Sequence, residues 1–489
     1  MDIEIRSLAA RGVGFGTSGV RATVDALTDE VCYAYAAAFL QVLARRGGSG
    51  PGAVTTVAIG HDLRPSSPRI TAACVAACTA AGVKVVHCGA LPTPALAHLA
   101  LLRRIPAIVV TGSHIPFDRN GIKFYTPEGE ILKEDEAAIT GATVTLPDGA
   151  FVDGRLARPA PLPPVDETAL RAYARRYLSF VPAGILRGKR LGVYEHSSVA
   201  RDLLSELLRS LGAEVVSLGR TDTFVPVDTE AVSEADERQA RAWTAEHRLD
   251  GLVSTDGDAD RPLVADEQGE FFRGDLAGLL TARFLGIRTV VTPVSSNTAV
   301  ERCGAFARVL RTRIGSPYVI AAMATPGLET PVAGYEANGG FLLGSDVIRG
   351  AAMLTALPTR DAVLPIVALL VAAAERGVAL SRLRADVPPR FTASDRIAAF
   401  ETARSQALLA GLTGSPAALA AFFQPIGAPA EVNTIDGVRV TLASGEIVHL
   451  RPSGNAPELR CYAEAATPAR AQELSRWGLA AAKAASAAP

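Results

Sequence analysis

Residues 190–219 read RLGVYEHSSVARDLLSELLRSLGAEVVSLG, and this stretch indicates the fold. Arg190–Tyr194 is predicted as a short strand, and Ser197-Ser198 lie in the next loop, where they can cap a helix. A helix through Leu203 to Leu211 and a second strand, Ala213–Gly219, follow. Strands that alternate with helices are typical of parallel or mixed sheets with helical crossovers.

The same strand, Ser-Ser turn, helix and strand occur twice more. The earlier copy has Thr55–Gly60, Ser66-Ser67 and Val83–Gly89, and the later copy has Arg288–Thr292, Ser295-Ser296, a short helix to about Cys303 and Ala307–Ile314. A unit that recurs about every 100–130 residues indicates a duplicated domain, because solenoid repeats are far shorter.

Two proline-containing stretches, 147–164 and 375–390, are predicted as linkers, and the pattern changes after the second. The expected elements there are an Ala-rich helix at about 395–410, a hairpin of 437–442 with 446–450, a strand at 458–463 and a helix from Pro468. We therefore predict three similar mixed-sheet α/β domains and a smaller C-terminal α+β domain.

Composition excludes several classes of protein. The chain has 489 residues, of which 48% are hydrophobic, and a net charge of −1, so it is expected to be globular, without nucleic acid or an acidic membrane as partner. The longest apolar run, 362–374, contains Pro365 and is too short to span a bilayer. The first six residues do not resemble a signal peptide. Six scattered cysteines, with Cys74 and Cys78 expected to pack rather than bind zinc, fit the cytoplasm.

The run Asp256-Gly257-Asp258-Ala259-Asp260-Arg261 carries the strongest chemical signal. Alternate positions of an extended chain place the three carboxylates on one side. Two such charges about 4 Å apart repel by about 4 kcal/mol at an effective dielectric of about 20, and a divalent cation reverses that sign. Oxygen ligands select Mg²⁺ or Ca²⁺. The alternatives are a solvated turn, or an EF-hand, which would need glycine where Arg261 stands.

Two glycine-bearing segments in the first domain could meet a phosphate. Gly14–Arg21 offers three glycines, two hydroxyls and an arginine, although such a segment is often only a turn. Thr111–Lys123 follows the apolar run 107–110, so Ser113 lies where open α/β sheets bind ligands. A helix cap is the alternative role for Ser113.

Two more loops carry polar side chains in later domains. Gly334–Gly340 contains Glu336 and Asn338, a pairing that suits sugar hydroxyls, with a simple turn as the alternative. Arg451–Arg460 combines two arginines with a hydroxyl and an amide, which suits phosphate, with surface charges as the alternative. Taken together, the loops predict a cleft for a phosphorylated sugar.

With these five motifs in order, the chain resembles the α-D-phosphohexomutases over essentially its whole length. The resemblance implies four domains around a central cleft, which we place at 1–155 (phosphoserine loop), 156–262 (metal loop), 263–378 (sugar-binding loop) and 385–489 (phosphate-binding loop). It implies a phosphoryl group on Ser113, and Mg²⁺ bound by that phosphate with Asp256, Asp258 and Asp260. Arg21, His114 and Lys123 are implied to be catalytic. The implied substrate-binding residues are Arg261, Glu336, Asn338, Arg451, Ser453, Gly454, Asn455 and Arg460.

The sequence departs from the family pattern at three positions. Ile115 stands where many members have asparagine, Gly340 where the sugar loop commonly ends in histidine, and Ser316 where a histidine often follows Gly315. The two missing histidines leave the general base unassigned. The loop Glu336–Gly340 is most similar to that of bacterial members known as phosphomannomutases.

The resemblance predicts a cytoplasmic isomerase, a mutase that interconverts hexose 6-phosphate and hexose 1-phosphate. Mannose phosphate is the expected substrate, and glucose or glucosamine phosphate are the alternatives. The expected cofactors are Mg²⁺ and a hexose 1,6-bisphosphate activator, and the chain is expected to be a monomer or homodimer. A metal-dependent phosphatase and a non-catalytic calcium-binding or sugar-phosphate-sensing protein are the competing hypotheses.

Overall fold

The computed structural model describes residues 1–16, 19–47, 54–158, 161–453 and 457–486. Within these ranges the predicted strand–helix–strand unit occurs three times, and an all-antiparallel sheet with helices follows it. The fold class is the predicted one, with three similar mixed-sheet α/β domains and a smaller C-terminal α+β domain.

The first domain is built on a mixed sheet, and its strand at 107–110 is buried at every position. The run AIVV at 107–110 is apolar throughout, as expected for a strand covered by helices on both faces. Its elements are β1 (Asp2–Glu4), β2 (Gly14–Phe15), β3 (Val20–Thr23), α1 (Asp29–Gly47), β4 (Thr56–His61), α2 (Ser67–Ala80), β5 (Lys84–Ala90), α3 (Thr93–Arg103), β6 (Ala107–Val110), β7 (Arg119–Thr126), β8 (Gly129–Glu130), α4 (Lys133–Thr140), β9 (Thr143–Thr145), β10 (Phe151–Val152) and β11 (Arg155–Leu156).

The second domain repeats the pattern with a four-stranded sheet. Leucines recur along its first crossover helix at 203, 204, 207 and 208, and all four are buried, which is the spacing of a helix face that packs on a sheet. Its elements are α5 (Thr168–Leu178), β12 (Arg190–Tyr194), α6 (Arg201–Ser210), β13 (Glu214–Leu218), α7 (Glu234–His247), β14 (Gly251–Thr255) and β15 (Pro262–Ala265).

The third domain has a five-stranded sheet and ends in a buried apolar helix at the 362–374 run. Its elements are α8 (Gly274–Phe284), β16 (Thr289–Pro293), α9 (Ala299–Arg302), β17 (Arg308–Thr312), α10 (Ser316–Met323), β18 (Val332–Tyr335), β19 (Phe341–Leu343), β20 (Val347–Arg349), β21 (Ala352–Leu354), β22 (Leu357–Asp361) and α11 (Val363–Glu375).

The C-terminal domain is one antiparallel sheet with helices. Along Val438–Leu442 buried and half-buried residues alternate, the period of a strand with one face on a core. Its elements are β23 (Phe391–Ile397), α12 (Thr402–Gly414), α13 (Pro416–Phe423), β24 (Pro429–Asn433), β25 (Val438–Leu442), β26 (Ile447–Pro452), β27 (Leu459–Ala465) and α14 (Pro468–Ala485).

One strand order is common to the three α/β domains. β4, β12 and β16 are parallel both to the strand after the helix (β5, β13, β17) and to the next strand (β6, β14, β18). An antiparallel strand (β7, β15, β19) then follows. The loops before that antiparallel strand, 111–118, 256–261 and 336–340, lie at the carboxyl ends of parallel strands, where open sheets bind ligands. These three loops, called the serine loop (111–118), the acidic loop (256–261) and the sugar loop (336–340), thus occupy equivalent positions in their domains.

The first three domains share buried apolar contacts, whereas the C-terminal domain has a core of its own. Glu464 ties this domain to the third one, since its carboxylate accepts hydrogen bonds from the Thr298 amide at 3.0 Å, from the Thr298 hydroxyl and from the Arg390 Nε. Among the described residues, the buried apolar core of the C-terminal domain is therefore separate from the core that the other three domains share.

Two local predictions were wrong. The segment at about 395–410 begins as strand β23 and becomes helical only at Thr402, because Phe391–Ile397 pairs along its length with β27. The second wrong prediction is that serines of the Ser-Ser turns cap the helices that follow them. The Ser66 side chain makes no cap hydrogen bond, and Ser198 Oγ accepts from the Ala200 amide, two residues ahead.

Among the described residues, no single helix is long and apolar enough to span a membrane. Two pairs of consecutive helices reach the required length and apolar composition together, but each pair is sharply bent between its two helices.

We predict that Phe423→Ala lowers the free energy of unfolding of the C-terminal domain by about 3–5 kcal/mol, because a buried phenyl ring is lost and a cavity remains. Phe423 is 1% exposed, and its ring lies 5.6 Å from that of Trp477. Scanning calorimetry measures the shift. Phe117→Ala is the control, since Phe117 is 71% exposed, and equal shifts for the two variants would contradict the prediction.

Candidate active site

Ser113 lies at the centre of the candidate site, in the loop after β6. It is 1% exposed and adopts a left-handed backbone conformation with φ of 53°. The Thr111 hydroxyl accepts a hydrogen bond from the Ser113 amide at 2.8 Å and helps to hold that conformation. A left-handed residue other than glycine costs about 1–3 kcal/mol, and such strain concentrates at functional sites.

Arg64, which the sequence analysis did not single out, holds the serine loop in shape. Its guanidinium donates to four carbonyls, those of Ser113 (3.0 Å), Ile115 (2.5 Å), Pro116 (2.6 Å) and Arg119 (2.8 Å). A planar fork with five donors can satisfy several carbonyls of one loop at once. The only signal in the sequence is an arginine just before the first Ser-Ser pair.

The three aspartates of the acidic loop come together as predicted. One carboxylate oxygen from each of Asp256, Asp258 and Asp260 lies within 4.8 Å of the others, and all three residues are at most 1% exposed. Ala259 has a φ of 58°, so the loop bends between the last two. Burial excludes a solvated turn, and the flanking strands β14 and β15 exclude an EF-hand.

Ser113 and the acidic loop are in direct contact. The Ser113 hydroxyl donates to Asp256 Oδ2 at 2.5 Å, across 143 residues of sequence. The hydroxyl and the three carboxylates, supplied by two equivalent loops of two domains, therefore form one cluster.

Lys123 of β7 neutralises part of this charge. Its ammonium lies 2.7 Å from Asp258 Oδ2 and 2.7 Å from Asp260 Oδ2, and the side chain is 2% exposed. Alternation along β7 points residue 123 to the same face as residue 121, beside the serine loop. The predicted catalytic lysine thus lies among the predicted metal ligands.

The carboxylates differ in acidity because their partners differ. Burial, followed by the charges of Asp258 and Asp260, raises the pKa of Asp256 well above its ordinary value. Burial also acts to raise the pKa of Asp258, but Lys123 and the Thr93 hydroxyl outweigh it and lower that pKa. The pKa of Asp260 is lowered by Arg360 and Lys123 against the effect of burial.

The cluster suits a hard divalent cation. Asp258 Oδ1 and Asp260 Oδ1 are buried and have no hydrogen-bond partner among the described residues. Carboxylate and hydroxyl oxygens are the ligands that Mg²⁺ prefers. Asp256, Asp258, Asp260 and Ser113 are therefore a fitting donor set, and Lys123 partly balances their charge before a metal binds.

His114 links Ser113 to Arg261. Arg261 Nη1 lies 3.4 Å from His114 Nε2, and Ser113 Oγ lies 3.3 Å from His114 Nδ1. A guanidinium can only donate, so Nε2 accepts and Nδ1–H faces Ser113. Burial, then Arg261 and Arg21, lower the pKa of His114 far below its ordinary value, which keeps the imidazole neutral.

Arg21 of β3 completes the cationic side of the cluster. Its Nη1 donates to the Thr111 carbonyl at 2.7 Å, immediately before the serine loop. Burial is the main cause that lowers the pKa of Arg21, to about 10, so the side chain stays cationic at neutral pH. Thr17 and Ser18 of the same motif lie outside the described residues.

The sugar loop joins this cluster through Arg360, the second residue that the sequence analysis missed. Glu336 and Asn338 are 4% and 6% exposed. Asn338 Oδ1 accepts from the Gly340 amide at 2.9 Å. Arg360 at the end of β22 donates to Glu336 Oε2 at 3.3 Å and lies 2.8 Å from Asp260 Oδ2. In the sequence its only signal is a charged pair, Arg360-Asp361, before the longest apolar run.

The phosphate loop lies in the C-terminal domain. Arg451 stands opposite Arg460 on the paired strands β26 and β27. Their described ion-pair partners, Asp436 and Glu458, belong to the same domain. Ser453 is 8% exposed, and Gly454 and Asn455 lie outside the described residues. The eight residues Ser113, His114, Lys123, Arg21, Asp256, Asp258, Asp260 and Arg261 thus form one cluster, Glu336 joins it through Arg360, and Arg451 and Arg460 form ion pairs within the C-terminal domain.

We predict opposite stability effects for Asp256→Asn and Asp258→Asn without metal. The pKa of Asp256 is raised in the folded protein, whereas in the unfolded chain this carboxyl ionises at about pH 4. Above that pH the buried carboxyl therefore lowers the free energy of unfolding. Asp256→Asn should then raise the free energy of unfolding at pH 7. Asp258 has a lowered pKa and stabilises the fold above that pH, so Asp258→Asn should cost about 3–5 kcal/mol by leaving Lys123 underpaired.

Thermal unfolding in EDTA at pH 7 measures both effects, and each variant is the control for the other because both are isosteric changes in one loop. Destabilisation by both substitutions would contradict the prediction that ionised Asp256 destabilises the fold while ionised Asp258 stabilises it.

The comparisons with known proteins agree with this arrangement. The phosphoglucomutase/phosphomannomutase family models match as alpha/beta/alpha domain I at residues 12–146, domain II at 171–269, domain III at 274–391 and the C-terminal domain at 395–476. A protein of Salmonella muenchen named phosphomannomutase is 47% identical over 460 residues, covering 93% of this chain and 92% of its own. One of Sinorhizobium fredii with the same name is 46% identical over 471 residues, covering 96% and 98%.

Among solved structures, a phosphoglucomutase/phosphomannomutase family protein of Burkholderia thailandensis has the same fold. It aligns with a TM-score of 0.74 at 22% identity, covering 96% of this chain and 97% of its own. With four domain models matched in order and two relatives above 45% identity, the chain belongs to the phosphoglucomutase/phosphomannomutase family.

Proposed function

We propose that this protein is a phosphohexose mutase that interconverts mannose 6-phosphate and mannose 1-phosphate through a phosphorylated Ser113. The observation that carries the proposal is the 2.5 Å contact between the Ser113 hydroxyl and Asp256, within three buried carboxylates. The two curated relatives named phosphomannomutase support mannose as the hexose. Glucose or glucosamine phosphate are the alternatives.

The proposed reaction has two transfers. The phosphoryl group leaves Ser113 Oγ and bonds to the free hydroxyl oxygen of the hexose phosphate, which forms a hexose 1,6-bisphosphate. The bisphosphate turns over in the cleft, and its other phosphoryl group returns to Ser113 Oγ. In each transfer the attacking hydroxyl gives up its proton as the new bond to phosphorus forms, and the oxygen that loses the phosphoryl group takes up a proton and becomes a hydroxyl. Lys123 is the residue proposed to assist that proton transfer.

Charge placement supports phosphoryl transfer at Ser113. The transition state is loose and spreads negative charge over the phosphoryl oxygens, so cations and positioning supply most of the acceleration. Arg21, Lys123 and Arg261 bring three cations to the serine and acidic loops. Mg²⁺ held by Ser113, Asp256, Asp258 and Asp260 would add a Lewis acid at the same oxygens.

The other predicted residues have roles at the two ends of the substrate. Glu336 and Asn338 are proposed to bind the 3- and 4-hydroxyls of the sugar. Arg451, Ser453, Gly454, Asn455 and Arg460 are proposed to hold the phosphate that is not reacting. This loop must accept either end of the bisphosphate, and a C-terminal domain with its own core can move to do so.

We further propose the four domain boundaries at 1–155, 156–262, 263–378 and 385–489, Mg²⁺ as the metal and hexose 1,6-bisphosphate as the activator. The protein is proposed to act in the cytoplasm as a monomer or homodimer, without nucleic acid or membrane. Six free cysteines, five of them buried, fit a reducing compartment.

We predict that Ser113→Ala retains the fold and lowers mutase activity by about 10³-fold or more, because the nucleophile that carries the phosphoryl group is lost. The assay follows conversion of mannose 1-phosphate with a catalytic amount of the bisphosphate. Ser217→Ala, at an exposed position of β13, is the matched control and should keep full activity. Wild-type turnover by Ser113→Ala would end the phosphoserine proposal.

The same assay separates the competing hypotheses. A phosphatase would release inorganic phosphate in step with substrate loss, whereas a mutase releases almost none. A calcium-binding or sugar-phosphate-sensing protein would show no turnover with any hexose 1-phosphate in Mg²⁺. Parallel assays with mannose, glucose and glucosamine 1-phosphate identify the preferred hexose.

A further inference from the structure

Arg360 occupies a bridging position that the proposed reaction does not yet use. It is 4% exposed at the end of β22, with Nη1 3.3 Å from Glu336 Oε2 and Nη2 2.8 Å from Asp260 Oδ2. One guanidinium therefore contacts both a carboxylate of the sugar loop and a carboxylate of the metal cluster. Its Nε is buried and has no hydrogen-bond partner among the described residues.

Gly340 makes this position possible. A Cβ placed on Gly340 would lie 2.7 Å from the Cδ, 2.8 Å from the Cγ and 3.1 Å from the Cβ of Arg360. Gly340 is not among the residues with positive φ, so an alanine there does not require a left-handed backbone, and the three atoms nearest to its Cβ all belong to the stem of Arg360. The sugar loop and the arginine stem thus fill the same space, and the glycine allows their close approach.

The neighbours of Arg360 fix its place on the strand. Asp361 accepts hydrogen bonds from the Tyr173 hydroxyl at 2.6 Å and from the Tyr177 hydroxyl. On the other side, the Thr359 hydroxyl lies 3.3 Å from Glu130 Oε2. Because both flanking residues are anchored to other domains, the guanidinium is presented to Glu336 from a rigid element, which is what precise positioning requires.

The charges also explain why Glu336 needs Arg360. Glu336 is a buried carboxylate in a site that already contains three aspartates. A buried carboxylate is costly unless it is paired and hydrogen-bonded. Without the arginine, Glu336 would be free to turn toward another cation or toward water, and its oxygens would no longer face one direction.

We propose that Arg360 is a positioning residue for hexose recognition. It orients the Glu336 carboxylate toward the sugar hydroxyls and fixes the sugar loop against the acidic loop. This inference rests on the proposed function and deepens it, since it assigns discrimination of the sugar ring to a residue outside the recognised loops.

The test is ligand binding by calorimetry on protein that carries Ser113→Ala, so that no transfer occurs. Arg360→Gln should weaken binding of mannose 1-phosphate by about tenfold or more, because a buried hydrogen-bonding partner is misplaced. Binding of methyl phosphate, which has no ring hydroxyls, should change less than about twofold, since Arg360 acts through Glu336. Arg288→Gln, which breaks the exposed Arg288–Glu329 pair of the same domain, is the matched control.

Gly340→Ala provides a second test that leaves the arginine in the chain. It should displace Arg360 and reproduce the loss of mannose 1-phosphate binding, and the double variant should bind no more weakly than Arg360→Gln alone. Gly411→Ala, where an added Cβ would meet nothing within 4 Å, is its control.

Equal weakening of both ligands would make Arg360 a direct phosphate ligand and would overturn the proposal, as would unchanged mannose 1-phosphate binding. Additive losses in the double variant would also overturn it. Turnover of hexose phosphates by the unmodified protein, measured in parallel, distinguishes these failures from a failure of the proposed function.

Discussion

The site depends on one electrostatic constraint, the burial of three carboxylates within 4.8 Å of one another. Such a cluster is tolerable only if cations or protons compensate it. Lys123 from the first domain contacts two of the aspartates, Arg360 from the third domain contacts one of those two, and Arg261 lies beside the acidic loop. For Asp256 the nearest cation among the described residues is Arg261, whose Nε lies 4.0 Å from Oδ2, and burial raises the pKa of this carboxyl. The charge balance of the loop therefore requires three domains to be in place together.

Duplication explains how these parts meet. In each α/β domain the loop before the first antiparallel strand lies at the carboxyl ends of parallel strands, and the three copies carry Ser113, the aspartates and Glu336. The repeated fold thus brings three equivalent loops together, through the Ser113–Asp256 contact and through Arg360. The C-terminal domain has a different fold, a separate core and a polar attachment through Glu464, which is compatible with the movement that we propose for it during turnover.

The domain class and the acidic cluster were predictable from the sequence because both depend on patterns among residues close together in the chain. Short apolar runs alternating with helices gave the domain class, and alternate aspartates between two strands gave the acidic cluster. The prediction at 395–410 was wrong because Phe391–Ile397 is held as a strand by its partner β27, a contact that local helix propensity does not contain. Arg64 and Arg360 were missed for a related reason, since each is an isolated arginine whose importance comes from loop carbonyls and carboxylates far along the chain.

The sequence alone determined which residues could do chemistry, since a serine at a strand end, alternate aspartates and arginines on glycine-bearing loops are properties of residue type and spacing. Only the tertiary structure decided which of them meet. Ser113 and Asp256 are 143 residues apart and 2.5 Å from each other, and Gly340 matters because the stem of Arg360 lies against it. The physical reason is that charge interactions and packing depend on distance in space, which the domain arrangement sets and which spacing along the chain does not encode.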